Sequence, residues 1–335
     1  MSLAATLALG VLGALVARLL GVPAPFVTGP ALVVAAASLA GLDTTIPQVL
    51  RNGCFTVIGA GLGSAVTPAA MQTAALWPGS FAALALALAV MIGGGIALLR
   101  AGFGYGRDTA LMAALPGHLS YVLAMSERFR GPEVAIMSVA QSLRVLLLTL
   151  FVPVLFVLST DARLDRAPDL GADMGPAGLA SVLALTVAAG LGLSRLGVPA
   201  AYILAGMVAG AATHLTGLVE GDVPPWLAIP AFTLIGTIIG SRFAGVTPAM
   251  LARAAGAGIV ITVFSFGVAA AFALPVAWWL GLPPTQTLIA FCPGAIETMA
   301  ALAILTGADT AFVAAHHVLR LVLLTFALPL MLARP

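Results

Sequence analysis

The chain contains no lysine: all 14 of its basic residues are arginine, set against 12 acidic ones, and charged residues fill only 8% of its 335 positions. A soluble domain carries about 25% charged residues, so this chain cannot clothe its surface for water. Its two cysteines, Cys54 and Cys292, lie in apolar stretches and are too few for a disulfide framework. The net charge is only +2, with no basic patch or charge run, which leaves no nucleic-acid surface and no nucleic-acid partner. The short alternating segments of a transmembrane β-barrel are missing as well. The N-terminal stretch MSLAATLALGVLGALVARLLG has no basic residue before Arg18. A secretory signal begins with a positive region, so this stretch reads as a retained first span.

What is present is apolar length. Hydrophobic residues make up 61% of the chain and the mean hydropathy is +1.14. That composition supplies many runs of roughly 20 apolar residues, enough for a polytopic, all-α membrane protein whose first partner is the lipid bilayer.

The chain also repeats itself. Gly21-Val22-Pro23-Ala24 recurs as Gly197-Val198-Pro199-Ala200, Phe55-Thr56-Val57-Ile58-Gly59 as Phe232-Thr233-Leu234-Ile235-Gly236, and Val66-Thr67-Pro68-Ala69 as Val246-Thr247-Pro248-Ala249. The offset stays at 176 to 180 residues, with about three extra residues in the second copy near Arg242. Two homologous halves are expected, 1–158 and 177–335, joined by a polar linker, 159–176. Each half carries six apolar segments. In the fifth of each, a Pro-Gly pair (Pro116-Gly117, Pro293-Gly294) interrupts the run. The sixth holds a lone arginine near its middle, Arg144 or Arg320, and a proline nine residues later, Pro153 or Pro329.

Arginine placement tests the topology, because cytoplasmic loops carry the excess positive charge. If all twelve segments cross, the loop arginines divide six against six. If each Pro-Gly segment enters and leaves on one side, one face collects Arg51, Arg100, Arg107, Arg128, Arg130, Arg195, Arg242, Arg253 and Arg334. The other keeps Arg18, Arg163 and Arg166 among seven acidic residues. That second arrangement predicts ten crossings, two re-entrant segments, an inverted repeat, and both termini in the cytoplasm. The alternative is that the Pro-Gly pairs merely kink ordinary spans, giving twelve crossings and a parallel repeat.

A break at Pro-Gly frees backbone groups at a depth where water is scarce. The half-helix that follows points unpaired N–H groups and a positive dipole end inward, which suits an anion such as a carboxylate. Beside the breaks stand His118 and Ser120 in one copy, Glu297 and Thr298 in the other, so the copies differ where a ligand would sit. Arg144 and Arg320 lie about 16 Å into their helices, near the middle of a 30 Å core. A guanidinium there costs at least about 2.5 kcal/mol and demands a partner. Gln141 and His317 sit one turn earlier on the same faces. Two readings stay open for the arginines: symmetry-related groups facing a substrate, or a buried bridge to Glu297 and the free carbonyls of the broken helices. Glu297, the one carboxylate well inside an apolar segment, is a candidate for proton or sodium coupling, or for a salt bridge. The candidate substrate site is therefore Pro116, Gly117, His118, Ser120, Gln141, Arg144, Pro293, Gly294, Thr298, His317 and Arg320, with Glu297 as the ion-coupling group.

Glu133 and Asp309 each follow a glycine by two residues and open a helix, as first-turn or capping acids do. His316 and His317 point about 100° apart on a helix and form no ligand pair with His118 or His214. No cofactor, no metal site and no enzymatic activity is expected.

The doubled Pro-Gly motif, the Gly-x-Asp/Glu helix start and the His/Gln-x-x-Arg helix ending in proline resemble the bacterial AbrB membrane family, over essentially the whole chain. That family is distinct from the soluble DNA-binding proteins sharing its name, and its members are labelled regulators of gene expression or ammonia monooxygenases. The family motif commonly reads Pro-Gly-Gly-x-x-Glu. Here His118 or Ala295 replaces the second glycine, Tyr121 or Thr298 stands where the acid is expected, and Glu297 comes one place early. The resemblance implies an architecture similar to that of secondary carriers with paired broken helices. The leading expectation is transport of a small anionic or zwitterionic metabolite. The alternative is a membrane sensor that affects gene expression indirectly, and a membrane monooxygenase comes third. Homo-oligomerisation is compatible with all three.

Overall fold

The computed structural model describes residues 2–66, 74, 77–116, 132–160 and 172–332. Among them are thirteen helices and no β-strand beyond an isolated bridge between Asp173 and Asp222. The first half supplies α1 (Leu3–Leu19), α2 (Pro25–Leu39), α3 (Gln48–Ser64), α4 (Trp77–Phe103), α5 (Arg107–Ala114) and α6 (Pro132–Thr160). The second supplies α7 (Pro176–Arg195), α8 (Ala201–Leu215), α9 (Pro225–Ser241), α10 (Pro248–Leu280), α11 (Pro284–Phe291), α12 (Ile296–Thr306) and α13 (Thr310–Leu332). Helices α2, α7, α9, α10 and α11 start on proline, whose missing N–H costs nothing in a first turn. The counterpart of α12 in the first half falls outside the described residues.

Among the described residues, five helices are long and apolar enough to cross a membrane: α4, the Ile136–Ser159 part of α6, α7, α10 and α13. Large apolar side chains cover the outside, as on Leu19 (87% exposed) and Val49 (81%). Such a surface suits lipid rather than water. Trp226, Trp278 and Trp279 are exposed at the start of α9 and the end of α10. Those helix ends lie at one face of the molecule, as the contacts below show, and exposed indoles there are of the kind enriched at membrane–water interfaces.

The halves are inverted relative to one another. Helices α3 and α9 are equivalent in the duplication, yet they run antiparallel. Ser64, at the end of α3, donates to Asp222 just ahead of α9 (2.8 Å), while the Cys54 thiol meets the Ala231 carbonyl (3.2 Å). The equivalent pair α4 and α10 also run antiparallel, with Gly79 against Trp279 and Gly94 against Phe264. Non-equivalent helices pair in parallel across the halves. Gly59 and Gly63 of α3 lie on Ile203, Gly206 and Gly210 of α8, and Gly236 and Gly240 of α9 lie on Val27, Ala31 and Ala35 of α2. A Cβ on Gly59 would come within 2.6 Å of the Ile203 carbonyl oxygen, so backbone touches backbone here.

Hydrogen bonds sort the helix ends into two faces. At one face, Ser38 at the end of α2 meets the Gly240 carbonyl, Tyr105 meets the Arg253 carbonyl, and Arg107 meets the Met331 carbonyl. At the other, Thr310 meets the Leu62 carbonyl, and His214 meets the Gly221 carbonyl. The first face carries Arg51, Arg100, Arg107, Arg195, Arg242 and Arg253 with Asp43 and Asp108 among the described residues; the second carries Arg18 with Asp173, Glu220, Asp222 and Asp309. The separation of charge expected from the sequence is thus built into the fold.

Candidate functional site

Each break begins with proline chemistry. The residue before a proline is driven out of the α region, and Leu115 (ψ 121°) and Cys292 (ψ 132°) are both extended. Helix α11 therefore stops at Phe291, and α12 restarts at Ile296 with no side-chain cap. The chain then turns back. Asp309, just beyond α12, donates its backbone N–H to Gln286 in the first turn of α11 (3.2 Å). Two arms of roughly 12 and 16 Å laid end to end could not bring those residues together. The segment is a helical hairpin, not a kinked rod. Gly307, at φ 65°, ends the returning arm in the left-handed conformation that glycine adopts most easily. Asp309 caps the next helix, its carboxylate accepting from the N–H groups of Ala311 (3.0 Å) and Phe312 (3.1 Å), as expected from its position after a glycine.

The two broken segments come from opposite ends of α13. Gln286, in the first turn of α11, meets Asp309 just ahead of that helix, whereas Arg107, which opens α5, donates to Met331 in its last turn (2.9 Å). Both breaks reach one cavity of about 600 Å³, lined by Pro116 from one and by Pro293, Gly294, Ala295, Ile296 and Glu297 from the other.

Arg144 and Arg320 hold the cut ends of the incoming half-helices. Arg320 donates to the Cys292 carbonyl (2.6 Å) and the Gly294 carbonyl (2.5 Å), and His317 approaches the Ile289 carbonyl (3.0 Å). Arg144 does the same in the first half, donating to Leu115 (2.5 Å) and Ala114 (3.4 Å) and to the Gln141 side chain (2.9 Å). Gln141 in turn donates to the Met112 carbonyl (2.8 Å). A helix C-terminus leaves unpaired carbonyls and a negative dipole end, and a buried cation answers both at once. Both arginines are almost fully buried, at 1% and 4% exposure, and both line the cavity. Arg144 Nε and His317 Nδ1 find no hydrogen-bond partner among the described residues.

Of the residues expected at the site, Pro116, Gln141, Arg144, Pro293, Gly294, Glu297, His317 and Arg320 line this cavity. Thr298 is fully buried outside the cavity lining. Gly117, His118 and Ser120 lie outside the described residues. Glu297 is not the partner of Arg144 or Arg320: its Oε1 lies 2.6 Å from Nη2 of Arg242, the residue that caps α9. The bridge reading of the two buried arginines therefore holds for the carbonyls and needs correcting for the acid. His316 points away from the cavity, to Ser80 and the Phe312 carbonyl, among Phe81, Phe291 and Phe312.

The sequence did not assign the rest of the cavity wall to the site: Gln48, Arg51 and Asn52 at the start of α3, Arg242, and Gly197–Tyr202 where α7 passes into α8. These belong to the arginine-rich face, so the cavity opens there. Arg51 donates its Nε to the Ile46 carbonyl (3.1 Å) and lies within electrostatic reach of Arg242 and Glu297. One signal existed: the three-residue surplus of the second copy lies beside Arg242, which caps α9 where Ala65 caps α3. Among the described residues, four arginines and a single carboxylate line the cavity, and their charge favours an anion.

A family model described as "Transition state regulatory protein AbrB" matches residues 26–334. The chain is similar to "Putative regulator AbrB" of Escherichia coli (strain K12), 27% identical over 89% of this chain and 86% of that one. It is also similar to "Uncharacterized protein YhjN" of Bacillus subtilis (strain 168), 31% identical over 66% of this chain; the match spans 62% of that protein's length. No solved structure matches the chain.

Proposed function

The chain belongs to the AbrB family, and on that premise we propose that it is a secondary transporter of a small anionic or zwitterionic metabolite in the bacterial inner membrane. The observation that carries this reading is the meeting of two oppositely inserted broken segments at one cavity, lined among the described residues by four arginines and one acid. Inverted repeats with broken helices at their interface are the architecture in which carriers expose one site to each side in turn. On this reading α1, α2, α3, α4 and α6 cross the membrane, as do α7, α8, α9, α10 and α13, and the two broken segments are re-entrant. The arginine-rich face is cytoplasmic, with both termini on it, and the cavity opens to the cytoplasm. Arg144 and Arg320 set the positive potential at the breaks while fixing their shape, and Glu297 is the group at which a proton or sodium ion couples. This is a carrier's site, with no bond-making role assigned to any residue.

The test is uptake by purified protein in lipid vesicles, using small carboxylates and amino acids under an imposed proton or sodium gradient. Gradient-driven uptake, lost in Glu297→Gln and Arg242→Gln, supports the reading. Saturable binding with no uptake under either gradient would replace it with a sensor.

A further inference from the structure

The Arg242–Glu297 pair differs from every other charged contact in the cavity. The two buried arginines hold backbone carbonyls, whereas Arg242 holds a carboxylate (2.6 Å). The pair is not sealed in: its side chains keep 12% and 13% exposure, and both line the cavity. It also exists in one half alone, since in the first copy Ser120 stands at the place of Glu297 and Ala65, which caps α3, stands at the place of Arg242, which caps α9. The duplicated scaffold is asymmetric at this point.

We propose that Arg242 is the residue that recognises the substrate, that the substrate carries a carboxylate, and that Glu297 occupies the carboxylate's place until the substrate displaces it. The inference rests on the transport reading and names its substrate class. Arg242 already has a carboxylate partner, so an incoming carboxylate exchanges like for like, with the planar fork geometry a guanidinium prefers. The exchange does not strand Glu297. It lies in the first turn of α12, where a negative charge is favoured and no side chain caps the helix. Arg51 is within electrostatic reach of both members of the pair. With Arg51 and Arg242 against Glu297, this end of the cavity carries one positive charge in excess, which the bound anion neutralises.

The experiment is titration calorimetry of the purified full-length protein with acetate and with succinate. A placeholder competes with the ligand, so Glu297→Gln binds these anions about tenfold more tightly than the native protein. Arg242→Gln binds at least tenfold more weakly, and the double variant behaves like Arg242→Gln. Glu297→Asp, which keeps the charge and shortens its reach, falls between the native protein and Glu297→Gln and serves if the amide variant misfolds. A supporting strut predicts the opposite sign, so unchanged or weaker binding by a folded Glu297→Gln overturns the proposal. Binding of neither anion to the native protein or to Glu297→Gln also overturns it. Vesicle uptake decides the transport reading separately: uptake that persists while Glu297→Gln fails to tighten binding removes this inference and leaves that one standing.

Discussion

Asp309 lies 23 residues after Gln286, and the backbone N–H of the one donates to the side-chain oxygen of the other at 3.2 Å. That bond closes a helical hairpin around Cys292–Ala295 in the second half. On the proposed topology each half has such a re-entrant segment and five crossings, and an odd number inverts the second half against the first. The antiparallel run of α3 against α9 agrees with it.

Thiol labelling in intact cells or oriented vesicles checks this directly. With Cys54 and Cys292 replaced by alanine, Leu282→Cys and Gly307→Cys should react with an impermeant maleimide from one side, and Tyr105→Cys from the other. Twelve crossings would place Leu282 and Gly307 on opposite sides, so opposite labelling of these two would defeat the hairpin topology.

Arg320 is predicted to be a stability residue first. Its two terminal nitrogens hold the Cys292 and Gly294 carbonyls, and it is 4% exposed. Arg320→Met should lower unfolding free energy by roughly 2–4 kcal/mol, the scale of losing hydrogen bonds to a charged group and leaving buried carbonyls unpaired. Arg320→Lys, a point donor in place of a fork, should recover part of that loss. Denaturation of the detergent-purified variants measures both. A Met variant as stable as the native protein would mean that the break is held by something else.

The contact between halves at α3 and α8 gives a steric prediction. A side chain at Gly59 meets the backbone of Ile203, whereas nothing lies within 4 Å of a Cβ at Gly53. Gly59→Leu should destabilise the protein by about 1–3 kcal/mol or more, the cost of overpacking. Gly53→Leu, on the exposed side of the same helix, should change little. Thermal midpoints of the two variants, compared at equal expression, separate a packing face from general intolerance of leucine.

Much of the fold was legible because lipid imposes simple rules. Apolar length, a constant repeat offset and arginine counts together specify helices, duplication and inversion. The buried arginines were legible too, because a lone guanidinium at mid-membrane depth must have partners and the Pro-Gly breaks supply free carbonyls. Arg242 and Arg51 were not. They sit near helix ends, where an arginine ordinarily serves only to mark the cytoplasmic side, and nothing in local pattern says that α9 delivers Arg242 to Glu297. That pairing spans 55 residues and depends on how the hairpin packs against the scaffold. Only the small surplus of residues around Arg242 marked the place where the copies part.

Arg51 offers the clearest separation of binding from folding. Its Nε is tied to the Ile46 carbonyl, and its terminal nitrogens make no hydrogen bond among the described residues, at the cavity wall beside Arg242. Removing that charge breaks little structure but takes away one of the four cations facing an anion. Arg51→Gln should therefore weaken carboxylate binding roughly tenfold, about 1.4 kcal/mol, with a thermal midpoint close to the native value. Arg144→Gln should do the reverse in proportion, lowering stability through the lost bonds to Leu115 and Ala114. Raising the ionic strength should narrow the Arg51 difference, because the partly exposed charge is screened where the buried one is not. Calorimetry at two salt concentrations, paired with melting curves, reads all of these at once. An Arg51 variant that lost stability and kept its affinity would show that the mouth of the cavity is structure rather than recognition.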